Sequence, residues 1–203
     1  MEVARGLIVM VHGWAGDEKV MWIFARNFPA DQWIVAPQGI YPTSEGGYGW
    51  TPERHGLDIS IKEYLPAASE LDDFIQLFER SIEKNALPIT LVGFSQGTAL
   101  IYTYGLLQPH KIRAIAGMSG FLPTGAEPYT QSQPLKGVPV WIAHGLRDET
   151  VPIERARRDA EILAQAGADI DLCESDVGHK LGKNCFHMLD EFIQRTSSNQ
   201  TGA

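Results

Sequence analysis

The chain has 203 residues, of which 44% are hydrophobic and 21% charged, with 20 Gly and 12 Pro. That apolar fraction suits a packed core and excludes disordered, collagen-like and coiled-coil classes, and the length fits one three-layer domain rather than two. Basic residues number 17 against 25 acidic ones, a net charge of −8. Such a surface repels phosphate backbones, so nucleic acid is not an expected partner.

The apolar run Leu7–Val11 is too short for a membrane span or for the apolar centre of a signal peptide. No membrane span is expected, and the setting implied is soluble and cytoplasmic. Short, nearly continuous apolar runs at 6–11, 33–36, 89–93, 114–118, 138–143 and 170–174 read as strands buried on both faces of a parallel sheet. Between them lie helical patterns. Ala67, Leu71, Phe74, Ile75, Phe78 and Ile82 recur at three- and four-residue spacing over 66–84. A second helix follows Ser95 and runs to about Gln108, a third spans Pro152 to Gly167, and a fourth covers 184–195. The domain is expected over 1–195, with 196–203 a frayed polar tail. Strand-helix alternation implies a mostly parallel sheet with helices on both faces, and ligands beyond the carboxyl ends of its strands. The irregular segments 37–65 and 119–137 are expected to wall a pocket there.

Gly93-Phe94-Ser95-Gln96-Gly97 follows one strand pattern and opens a helix pattern. This is the setting of a nucleophile elbow, where small residues two before and two after the serine allow a sharp turn that pushes its hydroxyl out above the sheet. A serine hydroxyl is a weak nucleophile and needs a base held by a third group. On this scaffold the chain order is Ser, acid, His. Asp148 and His179, each just after a strand pattern, satisfy that order. The developing oxyanion needs donors, and the backbone N–H groups of Gln96 and Trp14 are the candidates. The Gln96 side chain needs no role of its own, and the Trp14 indole suits a pocket wall.

The other candidates have plainer readings. His12 and His144 each precede glycine after a strand and read as structural; His110 and His187 read as surface residues. His55 could meet substrate from the long loop, and Asp176 could assist or replace Asp148. Asp17 and Glu18 suit the N-cap or first turn of the next helix. Arg155, Arg157 and Arg158 read as a solvated face, and Asn199-Gln200-Thr201 as a chance glycosylation tripeptide. Cys173 and Cys185 flank Gly178-His179 outside any zinc-ligand spacing. Two reduced, packed thiols are the expectation, with a bridge left open.

His12-Gly13-Trp14-Ala15-Gly16-Asp17, Ala36-Pro37-Gln38-Gly39, the elbow, Ser119-Gly120-Phe121-Leu122-Pro123, His144-Gly145-Leu146-Arg147-Asp148 with Val151-Pro152, and Gly178-His179 occur in this order. Over nearly the whole chain the set resembles the α/β-hydrolases of the phospholipase/carboxylesterase group, which includes acyl-protein thioesterases. The resemblance implies a single α/β-hydrolase domain without a cap domain, nucleophile Ser95, acid Asp148, base His179 and oxyanion amides at Trp14 and Gln96. It also implies hydrolysis of esters or thioesters without metal or organic cofactor. Three departures stand out. Thr98 replaces a glycine common after Gln-Gly, an extra N-terminal strand of several members is missing, and the substrate-loop tryptophan, matched to Trp50, has unusual neighbours in Tyr48-Gly49-Trp50-Thr51.

The expected function is a serine carboxylesterase for small to medium acyl esters, with a small-molecule ester as partner and a homodimer left open. The alternatives are a thioesterase or lysophospholipase using the same residues and, from another class, a non-catalytic binding protein on the same fold.

Overall fold

A computed structural model describes residues 4–53 and 57–198. His55 and the tripeptide at Asn199 lie outside the described residues. The strands are β1 (Leu7–Val11), β2 (Trp33–Val35), β3 (Tyr41–Pro42), β4 (Tyr48–Gly49), β5 (Ile89–Phe94), β6 (Ile112–Met118), β7 (Pro139–Gly145) and β8 (Asp169–Ser175). Strands β3 and β4 form a small antiparallel hairpin, and the other six form one all-parallel sheet in the order β2-β1-β5-β6-β7-β8. The helices are α1 (Ile61–Ser81), α2 (Gln96–Leu107), α3 (Ile153–Gln165) and α4 (Lys183–Ser198). Among the described residues no helix is long and apolar enough to cross a membrane.

Successive side chains of a strand point to opposite faces, so each buried strand feeds two cores. Leu7, Val9 and Val11 of β1 join Leu71, Ala99, Leu100 and Leu163 from α1, α2 and α3. Ile8 and Met10 join Leu189 and Phe192 of α4, with Met21 and Phe24 from the 3₁₀ segment Val20–Phe24. Three helices therefore cover one face and α4 with the 3₁₀ segment covers the other. At about 25 cal/mol per Å² of buried apolar surface, these two layers are the dominant stabilising contribution.

Two helix boundaries differ from the sequence expectation. Helix α1 starts five residues before Pro66, because Ser60 and Glu63 form a capping box: the Ser60 hydroxyl accepts from the Lys62 amide and Glu63 reaches back to the Ser60 amide. Helix α4 continues through Thr196, Ser197 and Ser198, where a frayed tail was expected. Thr196 and Ser197 are buried, and the Thr196 hydroxyl donates to the Phe192 carbonyl at 2.8 Å. The segment 37–65 is also less irregular than expected, since it holds β3, β4 and the first turn of α1.

The other long segment, 119–137, is anchored by a group that the sequence does not mark. Asp159 on α3 is 3% exposed and accepts from the Leu122 amide at 2.6 Å. Burial pushes its pKa up to about 7, against the pull of the Leu122 amide and of Arg155 and Arg158. In the unfolded chain the group ionises near 4, so folding is favoured by the retained proton at low pH, and that stability is lost as pH rises from about 4 to about 7. The loss over that range should be on the order of 4 kcal/mol, about 3 of it between pH 5 and pH 8, and Asp159→Asn should flatten it. Urea unfolding of both proteins at pH 5 and pH 8 checks this; parallel pH dependence would contradict it.

Candidate active site

Ser95, Asp148 and His179 come from three different strand-to-helix connections and meet beyond the carboxyl ends of β5, β7 and β8. The Ser95 hydroxyl lies 3.0 Å from His179 Nε2, and His179 Nδ1 lies 2.8 Å from Asp148 Oδ2. The remaining Asp148 oxygen, Oδ1, accepts from the Thr150 and Val151 amides at 2.9 Å each. The carboxylate is thus buried but fully hydrogen-bonded, which is the condition for burying a charge at tolerable cost.

Close packing explains each placement. Ser95 has φ 53° and ψ −119°, a region few side chains enter, at the turn between β5 and α2. A methyl group at Gly97 would run into the carbonyls of Val11 and His12, and one at Gly93 would press on Gly97. The small residues of the elbow therefore let α2 dock against the end of β1. Past β7 and β8 the ladder continues in the loops, with the Leu146 amide donating to Ser175 and the Arg147 amide to Val177 at 2.8 and 3.0 Å. Gly145 lies so close to the backbone of Gly178 that no side chain fits. These contacts set the register that brings Asp148 to His179.

Thr98, the departure within the elbow helix, fits tightly. Its hydroxyl donates to the Gly93 carbonyl at 2.9 Å and accepts from the Met118 amide at 3.1 Å. Gly120 leaves the room for it, since a methyl there would strike Thr98.

The amide of Gln96 opens α2, where a backbone N–H has no intrahelical acceptor, and the amide of Trp14 follows Gly13 on the loop after β1. Gly13 packs on the elbow, where an added methyl would sit 3.1 Å from Ser95 Cβ. Neither amide has an acceptor among the described residues. The two N–H groups are thus free, on pieces of backbone next to the one that carries the serine hydroxyl.

A pocket of about 540 Å³ opens beside Ser95 and His179, with Val20, Ile23, Phe24, Phe94, Leu181 and Phe186 on its walls. Its wall from Val20–Phe24 is not evident from the sequence, where five apolar residues outside any strand pattern carry no assignment. Asp17 lies just before that segment rather than in its first turn, and accepts from the Lys19 and Val20 amides at 2.9 and 3.2 Å. The Trp14 side chain also lines the pocket, with its indole N–H donating to Glu45.

Other residues occupy different places from those expected. Trp50 does not face the pocket: its indole is 1% exposed, donates to the His12 carbonyl at 2.7 Å and packs on the His12 ring. Its amide donates to Gln96 Oε1 at 2.9 Å, and Gln96 Nε2 donates to Thr51. The Gln96 side chain thus has a task of its own, fastening the elbow to the segment after β4. Arg155 is not a solvated residue. It binds the Leu57 carbonyl at 2.6 Å and Asp58 at 3.4 Å and lies over the Phe121 ring, while Arg157 pairs with Glu174 and Arg158 with Glu127.

Cys173 and Cys185 are not reduced thiols. They form a disulfide with Cα atoms 5.8 Å apart, joining β8 to the first turn of α4 across the loop that carries His179.

Asp176 is exposed and held by Arg147 at 2.7 Å, away from His179. His110 and His187 are exposed. His144 is buried, and because a carbonyl only accepts, its Nε2 must donate to Val151 at 2.7 Å, bracing the Asp148 turn. Burial lowers its pKa. Among the described residues no three His, Cys, Asp or Glu gather to hold a metal ion.

The model of the phospholipase/carboxylesterase family matches residues 2–197. Acyl-protein thioesterase 1 of Emericella nidulans is 27% identical over 187 residues, 80% of this chain and 77% of that protein. The same-named protein of Gibberella zeae is 34% identical over a shorter stretch, so that the match spans 48% of this chain and 43% of the relative. In structure, the chain superposes on the crystal structure of esterase PE8 with a TM-score of 0.85 and 25% identity, over 96% of this chain and 94% of that one. The chain belongs to the phospholipase/carboxylesterase family, serine hydrolases that act on esters, and carries the α/β-hydrolase fold.

Proposed function

We propose that the protein is a serine carboxylesterase for small to medium acyl esters. The observation that carries this reading is the unbroken relay from Ser95 through His179 to Asp148, at 3.0 and 2.8 Å, beside an apolar pocket. Ser95 Oγ attacks the ester carbonyl while His179 Nε2 takes its proton. The oxyanion forms between the Trp14 and Gln96 amides. Asp148 holds the Nδ1–H tautomer and stabilises the imidazolium. The carbon–oxygen bond to the alcohol then breaks, and His179 returns the proton to the departing oxygen. Water, activated by the same imidazole, attacks the acyl-serine, and expulsion of Ser95 Oγ releases the carboxylic acid.

The pocket falls in the usual range of about 300–1,000 Å³ for small-molecule sites. Across p-nitrophenyl esters from acetyl to palmitoyl, kcat/KM should peak at short or medium chains. A maximum at palmitoyl would overturn the chain-length reading. The relatives named acyl-protein thioesterase favour a second reading, thioester hydrolysis by the same residues. Competition between matched oxygen esters and thioesters separates the two.

A further inference from the structure

His12 is a fully buried histidine that the proposed reaction does not use, and its two ring nitrogens have unequal partners. Nδ1 lies 2.7 Å from the Gly13 carbonyl oxygen, which can only accept. Nε2 lies 2.9 Å from the Gly39 amide, which can only donate. Both bonds form together only when the ring is neutral and carries its proton on Nδ1. Burial pushes the His12 pKa down, in keeping with a neutral ring.

The Gly13 carbonyl belongs to the same peptide unit as the Trp14 N–H. The described residues contain no cis peptide bonds. In a planar trans peptide the C=O and N–H point in opposite directions, so fixing one fixes the other. The Gly13 carbonyl is fixed twice, by His12 Nδ1–H and by the Gly16 amide at 3.2 Å. The preceding carbonyl, that of His12, is fixed by the Trp50 indole. Gly13 and Trp14 line the pocket into which Ser95 opens.

We propose that His12 is a positioning residue whose Nδ1–H holds the Gly13–Trp14 peptide with its N–H turned to the oxyanion of the ester under attack. The proposal rests on Ser95 being the nucleophile. His12 touches no reacting atom. It sets the direction of a donor that would otherwise swing with a glycine-containing loop, and Gly39 and Trp50 keep the ring and its backbone in place.

The test compares His12→Ala, His12→Asn and His12→Gln with the wild type. The amide nitrogen of asparagine reaches about where Nδ1 stands, and that of glutamine about where Nε2 stands. Loss of an oxyanion donor costs about 10²–10³ in kcat. His12→Ala should lose about that factor with KM changed less than about threefold, and should bind an alkyl trifluoromethyl ketone more weakly by the same factor. That ketone forms a tetrahedral adduct and so reports the oxyanion site, which a general loosening of the fold would not single out. His12→Asn should recover at least about tenfold over His12→Gln in both measurements.

Equal activity of the Asn and Gln variants would overturn the proposal, as would a fall in kcat with ketone affinity unchanged. Because these two variants carry the same amide and differ by a single methylene, their ranking decides the matter even if His12→Ala does not fold. Ser95→Ala is the control for the underlying reading: tight ketone binding by it would overturn that reading and the His12 proposal with it. Weak binding there, with Asn and Gln alike, would overturn the His12 proposal alone.

Discussion

Replacing Ser95 with alanine should lower kcat on p-nitrophenyl esters by about 10⁶-fold, the scale on which loss of a triad nucleophile acts. The geometry leaves no substitute. The Ser95 hydroxyl and the Asp148 carboxylate are the hydrogen-bond partners of the His179 ring, and the Thr150 hydroxyl on the pocket wall makes no bond to it. The same position offers a check on stability. A side chain at φ 53°, ψ −119° costs on the order of 1–3 kcal/mol, which glycine avoids. Ser95→Gly should therefore be inactive yet more resistant to urea than Ser95→Ala. Steady-state rates and urea midpoints for both variants check the pair of effects. An active alanine variant would remove Ser95 from the reaction, and equal midpoints would show that the turn is unstrained.

The second large effect concerns the disulfide. A bridge closing a loop of this length, 12 residues, removes about 3 kcal/mol of chain entropy from the unfolded state. Replacing both Cys173 and Cys185 with alanine should lower the melting temperature by roughly 6–12 °C for a domain of this size. Activity should suffer as well, because β8 is the edge strand of the sheet and the loop bearing His179 hangs between it and α4. Calorimetry and kcat measured together separate the two consequences. Free thiols in the purified, unreduced protein, or an unchanged melting temperature in the variant, would contradict this account. Such bonds are rare in a reducing cytosol and persist in oxidising surroundings, so the bridge bears directly on the cytoplasmic setting that the sequence suggested.

What could be read in advance follows from how local each signal is. The elbow was legible because strand, turn and helix are contiguous, and because Gly93 and Gly97 answer a steric need that the chain itself states. Asp148 and His179 were legible through chain order and through their positions after apolar runs. Their approach to each other depends on the β7–β8 register and on Gly145 meeting Gly178, which no local pattern encodes. The disulfide was illegible for the same reason, since it needs the docking of α4 on β8. Trp50 was matched to a substrate loop through the family resemblance alone, with unusual neighbours; its indole finds its acceptor inside, on the His12 carbonyl. Asp159 gave no warning because an aspartate on a charged helix is ordinarily solvated, and only the fold of 119–137 over α3 buries it. The capping box at Ser60 was present in the sequence, but Pro66 is the more familiar mark of a helix start.

The most direct measurement is reaction with diethyl p-nitrophenyl phosphate, followed by intact mass and peptide mapping. This reagent phosphorylates an activated serine and releases p-nitrophenol. One diethylphosphoryl group per chain, carried on Ser95 and appearing in step with the loss of esterase activity, is the expected result. Full activity after prolonged treatment, or a modified residue other than Ser95, would contradict the assignment of Ser95 as nucleophile.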